Sequence, residues 1–148
     1  MGALGEFLRG EGDDARGRRH ADLLAMDDAA LEARHDYVQW LFPLPEPSAA
    51  VPGSPVLAAG EAAALAADPA VRERLAAAAA RMRRFYAAND HWLVPFDHNH
   101  LRITRIIRSL RLLAGDAEAD AFRAFAMARV REAGDPVNAR SLAYWRDA

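Results

Sequence analysis

Five of the eight prolines fall between Pro43 and Pro55, directly behind an aromatic run, and this cluster limits the fold more than any other feature. Proline lacks a backbone N–H and its ring clashes with the preceding turn, so neither a helix interior nor a central strand can pass through such a segment. The run His35-Asp-Tyr-Val-Gln-Trp-Leu-Phe-Pro-Leu-Pro-Glu-Pro-Ser48 therefore ends a helical pattern abruptly. A helix is expected to start on the side chain of Asp28, carry Leu31, His35, Val38 and Phe42, and stop before Pro43. The prolines predict a stiff, extended connection along the surface.

Gly60 to Ala67 reads as an alanine-rich helix, and Asp68-Pro69 restarts a helix in the favoured order of cap followed by proline. Val71, Leu75, Ala78, Met82 and Phe85 then keep one apolar face at helical spacing. After a turn-like stretch from Asn89 to His98, a further helix carries Ile103, Ile106, Ile107, Leu110 and Leu113 inward and ends at Gly115. Asp116 is expected to cap the next, which runs past Phe122 and Val130 to the break at Gly134-Asp135-Pro136. A short last helix holds Leu142, Tyr144 and Trp145.

Gly10 to Arg19 mixes glycine with both charge signs and has no apolar period, so residues 1–20 are expected to form a partly irregular arm anchored by Phe7 and Leu8. No run alternates as a half-buried strand must. The expected fold is all-α, a compact irregular array of about five or six helices. Residues 1–148 are long enough for a single domain with its own core.

With 52% hydrophobic and 27% charged residues, the chain has the composition of a globular protein. A net charge of -2 supplies no global field for nucleic acid or anionic lipid. The lack of cysteine removes disulfides and thiolate chemistry and is compatible with a reducing, cytoplasmic setting. All 19 basic residues are arginine and alanine is abundant, a bias that GC-rich coding produces and that points to a bacterial source. No long charge-free apolar run suggests a transmembrane segment. Oligomeric state is not encoded in any of these properties.

A second distinctive run is His98-Asn-His-Leu-Arg-Ile-Thr-Arg-Ile-Ile-Arg-Ser-Leu110. The two runs resemble the hallmarks of the opioid growth factor receptor domain family, His-x-Tyr-Ile/Val-Gln-Trp-Leu-Phe-Pro-Leu and His-Asn-x-Leu-Arg-Ile-Thr-Arg-Ile followed by a Ser-Leu pair. The resemblance extends roughly from Phe7 to Tyr144. It implies a ligand-binding domain. Animal members are described as receptors for the peptide Met-enkephalin, associated with nuclear and perinuclear membranes. For a bacterial chain the resemblance implies a peptide-binding surface more than opioid signalling.

On the expected helix His35 and Gln39 share one face, while Asp36 and Trp40 share the adjoining one. Together with His98, Asn99, Arg102 and Arg105 they are the candidate ligand-binding residues, lining a groove for an extended peptide or an acidic small ligand. The competing reading buries Trp40, Leu41 and Phe42 in the core. The later helix carries Arg102, Arg105, Arg108 and Arg111 against Asp97, a local +4 - 1 = +3, which suits carboxylate or phosphate oxygens or else pairs with neighbouring acids. Asp97-His98-Asn99-His100 invites a metal, yet residues two apart on a helix point to nearly opposite sides. Asn99 as a helix cap and His98 as a structural hydrogen-bonding group are the better readings, and neither metal nor cofactor is expected.

Two alternatives draw on the same residues. An enzyme would use His35 or His98 as general acid/base and Arg102 or Arg105 for an anionic intermediate, but no defined catalytic constellation accompanies them. A nucleic-acid binder would use the arginine stripe and lose affinity steeply with salt. Binding is favoured over catalysis. Pro52-Gly-Ser-Pro55 formally matches PxxP but is read as linker.

Overall fold

The computed structural model describes residues 2–148, and its regular elements are helices, with one isolated antiparallel bridge between Asp13 and Arg19. The all-α class follows from the sequence pattern. The helices exceed the expected number, nine among the described residues, because several are only four to six residues long and leave little periodic signal. The chain divides into two compact units, Met1–Ala78 and Ala79–Ala148. Among the described residues no helix is long and apolar enough to cross a membrane.

The first unit contains α1 (Ala3–Leu8), α2 (His20–Leu24), α3 (Asp28–Ala33), α4 (Val38–Leu41), α5 (Glu61–Ala66) and the first half of α6 (Pro69–Ala88). The start of the expected arm is helical: Leu4, Phe7 and Leu8 of α1 are buried, and α1 packs on α4. Phe7 meets Trp40 edge-on, with ring centroids 5.2 Å apart, an arrangement that places ring edge against ring face. Met1 lies outside the described residues.

Residues between α1 and α2 are irregular, and their charges pair both within the segment and with acids beyond it. Asp14 is buried and accepts hydrogen bonds from the backbone N–H groups of Arg16 and Arg18, each at 2.9 Å, and from Arg18 Nε at 2.7 Å. Arg18 and Arg16 both reach Asp36, and Arg19 pairs with Asp13. Gly10 stands at φ 78°, and a Cβ there would fall onto the Arg74 guanidinium. Gly10→Ala should therefore cost about 1–2 kcal/mol through left-handed strain. Urea unfolding of the two proteins gives the difference, and an unchanged midpoint would refute the strain at this position.

The helix expected from Asp28 through Phe42 is two helices. Asp27, one residue earlier than expected, caps α3 by accepting from Ala30 N at 2.8 Å. The chain turns extended at Arg34 and resumes only at Val38. Two contacts hold the break: the buried Tyr37 hydroxyl donates to the Leu31 carbonyl six residues back at 2.7 Å, and Asp36 is held by Arg16 and Arg18 from the preceding segment. Helix periodicity sees neither.

The proline segment also departs from the extended form. Leu57 N donates to Leu44 O at 3.0 Å, closing residues 44–57 into a loop whose ends meet. Within it Ser54 N reaches Val51 O and Gly53 takes φ 85°, so Pro52-Gly-Ser-Pro55 is a turn and not a polyproline ligand. Asp68-Pro69 behaves as expected: Asp68 accepts from Ala70 N at 2.9 Å and also pairs with Arg9, whose hydrogen bond holds the carboxyl below its ordinary range.

The second unit holds the rest of α6, then α7 (Asn99–Leu113), α8 (Asp116–Glu132) and α9 (Ala139–Asp147). α7 is central, packing against both α8 and α9. Its Ile103, Ile106, Ile107, Leu110 and Leu113 are buried as the spacing requires. Gly115, not Asp116, is the N-cap of α8; Asp116 lies in the first turn, where an acid favours the helix dipole, and accepts from Arg111. Arg111 also bonds Asp120, which raises the arginine pKa and lowers that of the carboxyl. Arg129 ties α8 back to Asp90 at 2.6 Å.

Asn138 caps α9 through Ser141 N at 2.8 Å, while its Nδ2 and backbone N donate to Pro95 O. Asn138→Ala should lower stability by about 1–2 kcal/mol. Asn138→Asp should recover the cap but not the Nδ2 bond. Chemical denaturation of the pair separates these contributions; equal stability in all three proteins would contradict the assignment.

Candidate functional site

Asp97 Oδ1 accepts from Asn99 N at 2.8 Å and from Asn99 Nδ2 at 2.9 Å, so Asp97 satisfies the open helix start that sequence reasoning gave to Asn99. Asn99 is fully buried, and its Oδ1 accepts from the Tyr86 hydroxyl at 3.1 Å. Its amide thus uses one end for the carboxylate and the other for the phenol. Such a buried asparagine orients its neighbours.

His100 is also buried, with Nε2 2.7 Å from the Trp92 carbonyl. A carbonyl only accepts, so Nε2 carries the proton. Trp92 in turn donates its indole N–H to Asn89 O at 2.8 Å and Tyr86 O at 3.1 Å, and Trp145 donates to His100 O at 3.0 Å. His98 is exposed, with Nδ1 3.8 Å from Asp97 Oδ1 and Nε2 3.5 Å from Asn99 Nδ2. His98 and His100 therefore do not present a shared ligand pair: one lies at the surface and the other inside the aromatic cluster.

At 100° per residue, His98, Leu101, Arg105, Arg108 and Leu112 fall within one arc of α7 facing away from the core. Leu101 is 64% exposed within the hallmark, a cost in water that the packing of this unit does not explain. Arg105 is half-buried and Arg108 exposed. Arg102 falls on the buried side, and Arg111 is bonded to the acids of α8. The four arginines do not form one continuous exposed stripe.

In the first unit, His35 is exposed in the break between α3 and α4, whereas Gln39 and Trp40 lie on α4. His35 and Gln39 are thus not successive turns of one helix, and the expected shared face is absent. Gln39 is buried and its Oε1 receives no hydrogen bond. Trp40 is half-buried against Phe7, while Leu41 and Phe42 are fully buried. The core reading fits Leu41 and Phe42 better than Trp40.

Sequence reasoning named Asp97 but not its role at the helix start, and it missed the exposure of Leu101. Asp97 was visible as a carboxylate two residues before the helix start; Leu101 carried no signal, because a leucine inside an amphipathic helix is ordinarily read as core.

The family model described as "Opioid growth factor receptor (OGFr) conserved region" matches residues 21–146. The chain is similar to the "Opioid growth factor receptor" of Rattus norvegicus, 38% identical over 98 residues, covering 54% of this chain and 17% of that protein. It is similar to the protein of the same name from Mus musculus, again 38% identical over 98 residues, covering 54% of this chain and 15% of the relative. The matches therefore cover less than a fifth of these receptors' length. No solved structure matches the chain.

Proposed function

Since the chain belongs to the family of the opioid growth factor receptor conserved region, we propose that it is a receptor-like recognition domain for a peptide or an anionic small ligand. The supporting observation is the solvent arc at the head of α7, where exposed His98 and Leu101 adjoin half-buried Arg105. A guanidinium offers paired N–H donors that match a carboxylate, an imidazole adds a donor or acceptor, and leucine supplies apolar contact. In this reading His98 and Arg105 contact the ligand. Asn99 and Arg102, both buried, are positioning residues.

The reading extends separately to the first unit, where His35, Gln39 and Trp40 are proposed contacts. Gln39 supports it with an acceptor that is buried and unused, an arrangement costing about 1–3 kcal/mol when no partner is supplied. Opioid-peptide recognition is the form of this function that the relatives' name suggests. The same residues carry less support for catalysis, and the separation of Arg102 and Arg111 from the exposed arc weakens a nucleic-acid reading.

A thermal-shift titration tests the proposal with Met-enkephalin, its C-terminal amide and inorganic phosphate as probes. At a concentration about 100-fold above Kd, a binding partner should add about 2.7 kcal/mol of stability. Stabilisation by a carboxylate-bearing probe that Arg105→Ala removes supports the α7 site. No shift with any probe, or shifts indifferent to Arg105→Ala, rejects it.

A further inference from the structure

Among the large apolar side chains that the second unit leaves in water are Phe96 at 79% exposure, Leu101 at 64% and Tyr144 at 43%. Two hydrogen bonds relate their positions. Pro95 O, next to Phe96, accepts from Asn138 at the start of α9, and His100 O, next to Leu101, accepts from Trp145, next to Tyr144. All three side chains thus leave the backbone beside the points where α9 is fastened. Fixed backbone lowers the ordering entropy that a partner must overcome.

Arg140 gives this region a chemical direction. It stands one turn before Tyr144 on the same exposed face of α9, with Nε donating to Tyr144 Oη at 3.1 Å and the guanidinium over the ring at 5.7 Å. Both contacts hold the planar group of this exposed side chain, which makes it a pre-organised receptor for a carboxylate. Asp147 lies on the same face beyond Tyr144 and repels a second carboxylate from that end. The acid therefore belongs at the Arg140 end, the end of α9 fastened to Pro95 beside Phe96.

We propose that Phe96, Leu101, Tyr144 and Arg140 form a docking surface for a partner-protein segment bearing an apolar or aromatic side chain beside a carboxylate. Apolar contacts provide area, and the ion pair sets the direction in which the segment lies. This surface shares Leu101 with the proposed Arg105 contact, whereas Phe96 and Arg140 lie outside that contact, so substitutions at Phe96 and Arg140 and at Arg105 tell the two apart.

The test is panning a displayed library of random 12-residue peptides on the immobilised full chain, then measuring the enriched peptides by fluorescence polarisation. The expected consensus places Asp or Glu next to Leu, Phe or Trp. Phe96→Ser and Arg140→Gln should each weaken binding at least tenfold, while Leu112→Ser, an exposed apolar change elsewhere on α7, should leave it within twofold. Circular dichroism confirms that the variants fold. Failure to enrich any Phe96-dependent peptide, or a consensus without an acid, overturns the proposal. Sedimentation showing a dimer abolished by Phe96→Ser would assign the surface to a second copy, and Phe96-dependent binding to anionic vesicles would assign it to a membrane; either result also overturns it.

Discussion

Trp145→Ala is expected to lower the unfolding free energy by about 3–5 kcal/mol, the range for deleting a fully buried aromatic side chain. Trp145 is completely buried, its ring lies 6.4 Å from Trp92 and 5.9 Å from His100, and its indole N–H donates to His100 O. Truncation would open a cavity beside two aromatic rings and leave a carbonyl without that donor. Trp145→Phe should recover much of the packing but not the hydrogen bond, leaving a deficit of about 1–2 kcal/mol. Urea unfolding monitored by circular dichroism measures both. If Phe and Ala variants were equally unstable, the indole N–H would be the dominant contribution and the packing argument would fail.

A comparable loss is expected from pH alone. His20 is 2% exposed, its ring stands 5.5 Å from that of Phe7, and Nε2 receives no hydrogen bond. Burial first, and then the positive charge of Arg74, lower its pKa from 6.5 to about 4. Above pH 6.5 the imidazole is neutral in the folded and unfolded chain and contributes no pH dependence. As pH falls below 6.5, the unfolded chain binds a proton that the folded chain resists until about pH 4. Stability is lost across that window by roughly 3 kcal/mol, following about 1.4 kcal/mol per pH unit.

His20→Gln isolates the effect, because other titrating groups are common to both proteins. The wild type should lose roughly 3 kcal/mol more than the variant between pH 7.5 and pH 4. Equal slopes would show that His20 is protonated in the folded state. Asp68 and Asp120 act lower: their carboxyls are held below the ordinary range by arginine hydrogen bonds, so their contribution disappears as they become protonated in stronger acid.

The legible parts of this chain are those governed by neighbouring residues. Apolar spacing located α7 because Ile103, Ile106, Ile107 and Leu110 recur at the helical period. Asp68-Pro69 announced α6 because capping is a contact over two or three residues. The same logic failed between Asp28 and Phe42, where Tyr37 reaching Leu31 and Asp36 reaching two arginines outweigh continuation of the helix. Prolines predicted stiffness but not that Leu44 and Leu57 would meet. Turn direction depends on residues such as Gly53, whose positive φ reverses the course.

For the candidate site, the two motifs marked residues of α4 and α7 but did not separate exposed side chains from buried ones. His98 and Asn99 are adjacent in sequence, yet one is exposed and the other enclosed between Tyr86 and Asp97. Leu101 and Ile103 are similarly apolar, yet only Ile103 enters the core.

By itself, the amino-acid sequence determined an all-α chain, the family to which it belongs and the positions where helices start at Pro69 and end before Gly115. Periodicity, capping and motif identity reside in short stretches of chain, and they survive without knowledge of what packs nearby. Tertiary structure alone decided that Asn99 is enclosed with its Oδ1 on the Tyr86 hydroxyl, that His20 is buried with its imidazole unbonded at Nε2, and that Leu101 and Phe96 stand in solvent. Those properties depend on which distant groups remove water, donate a hydrogen bond or leave a side chain uncovered.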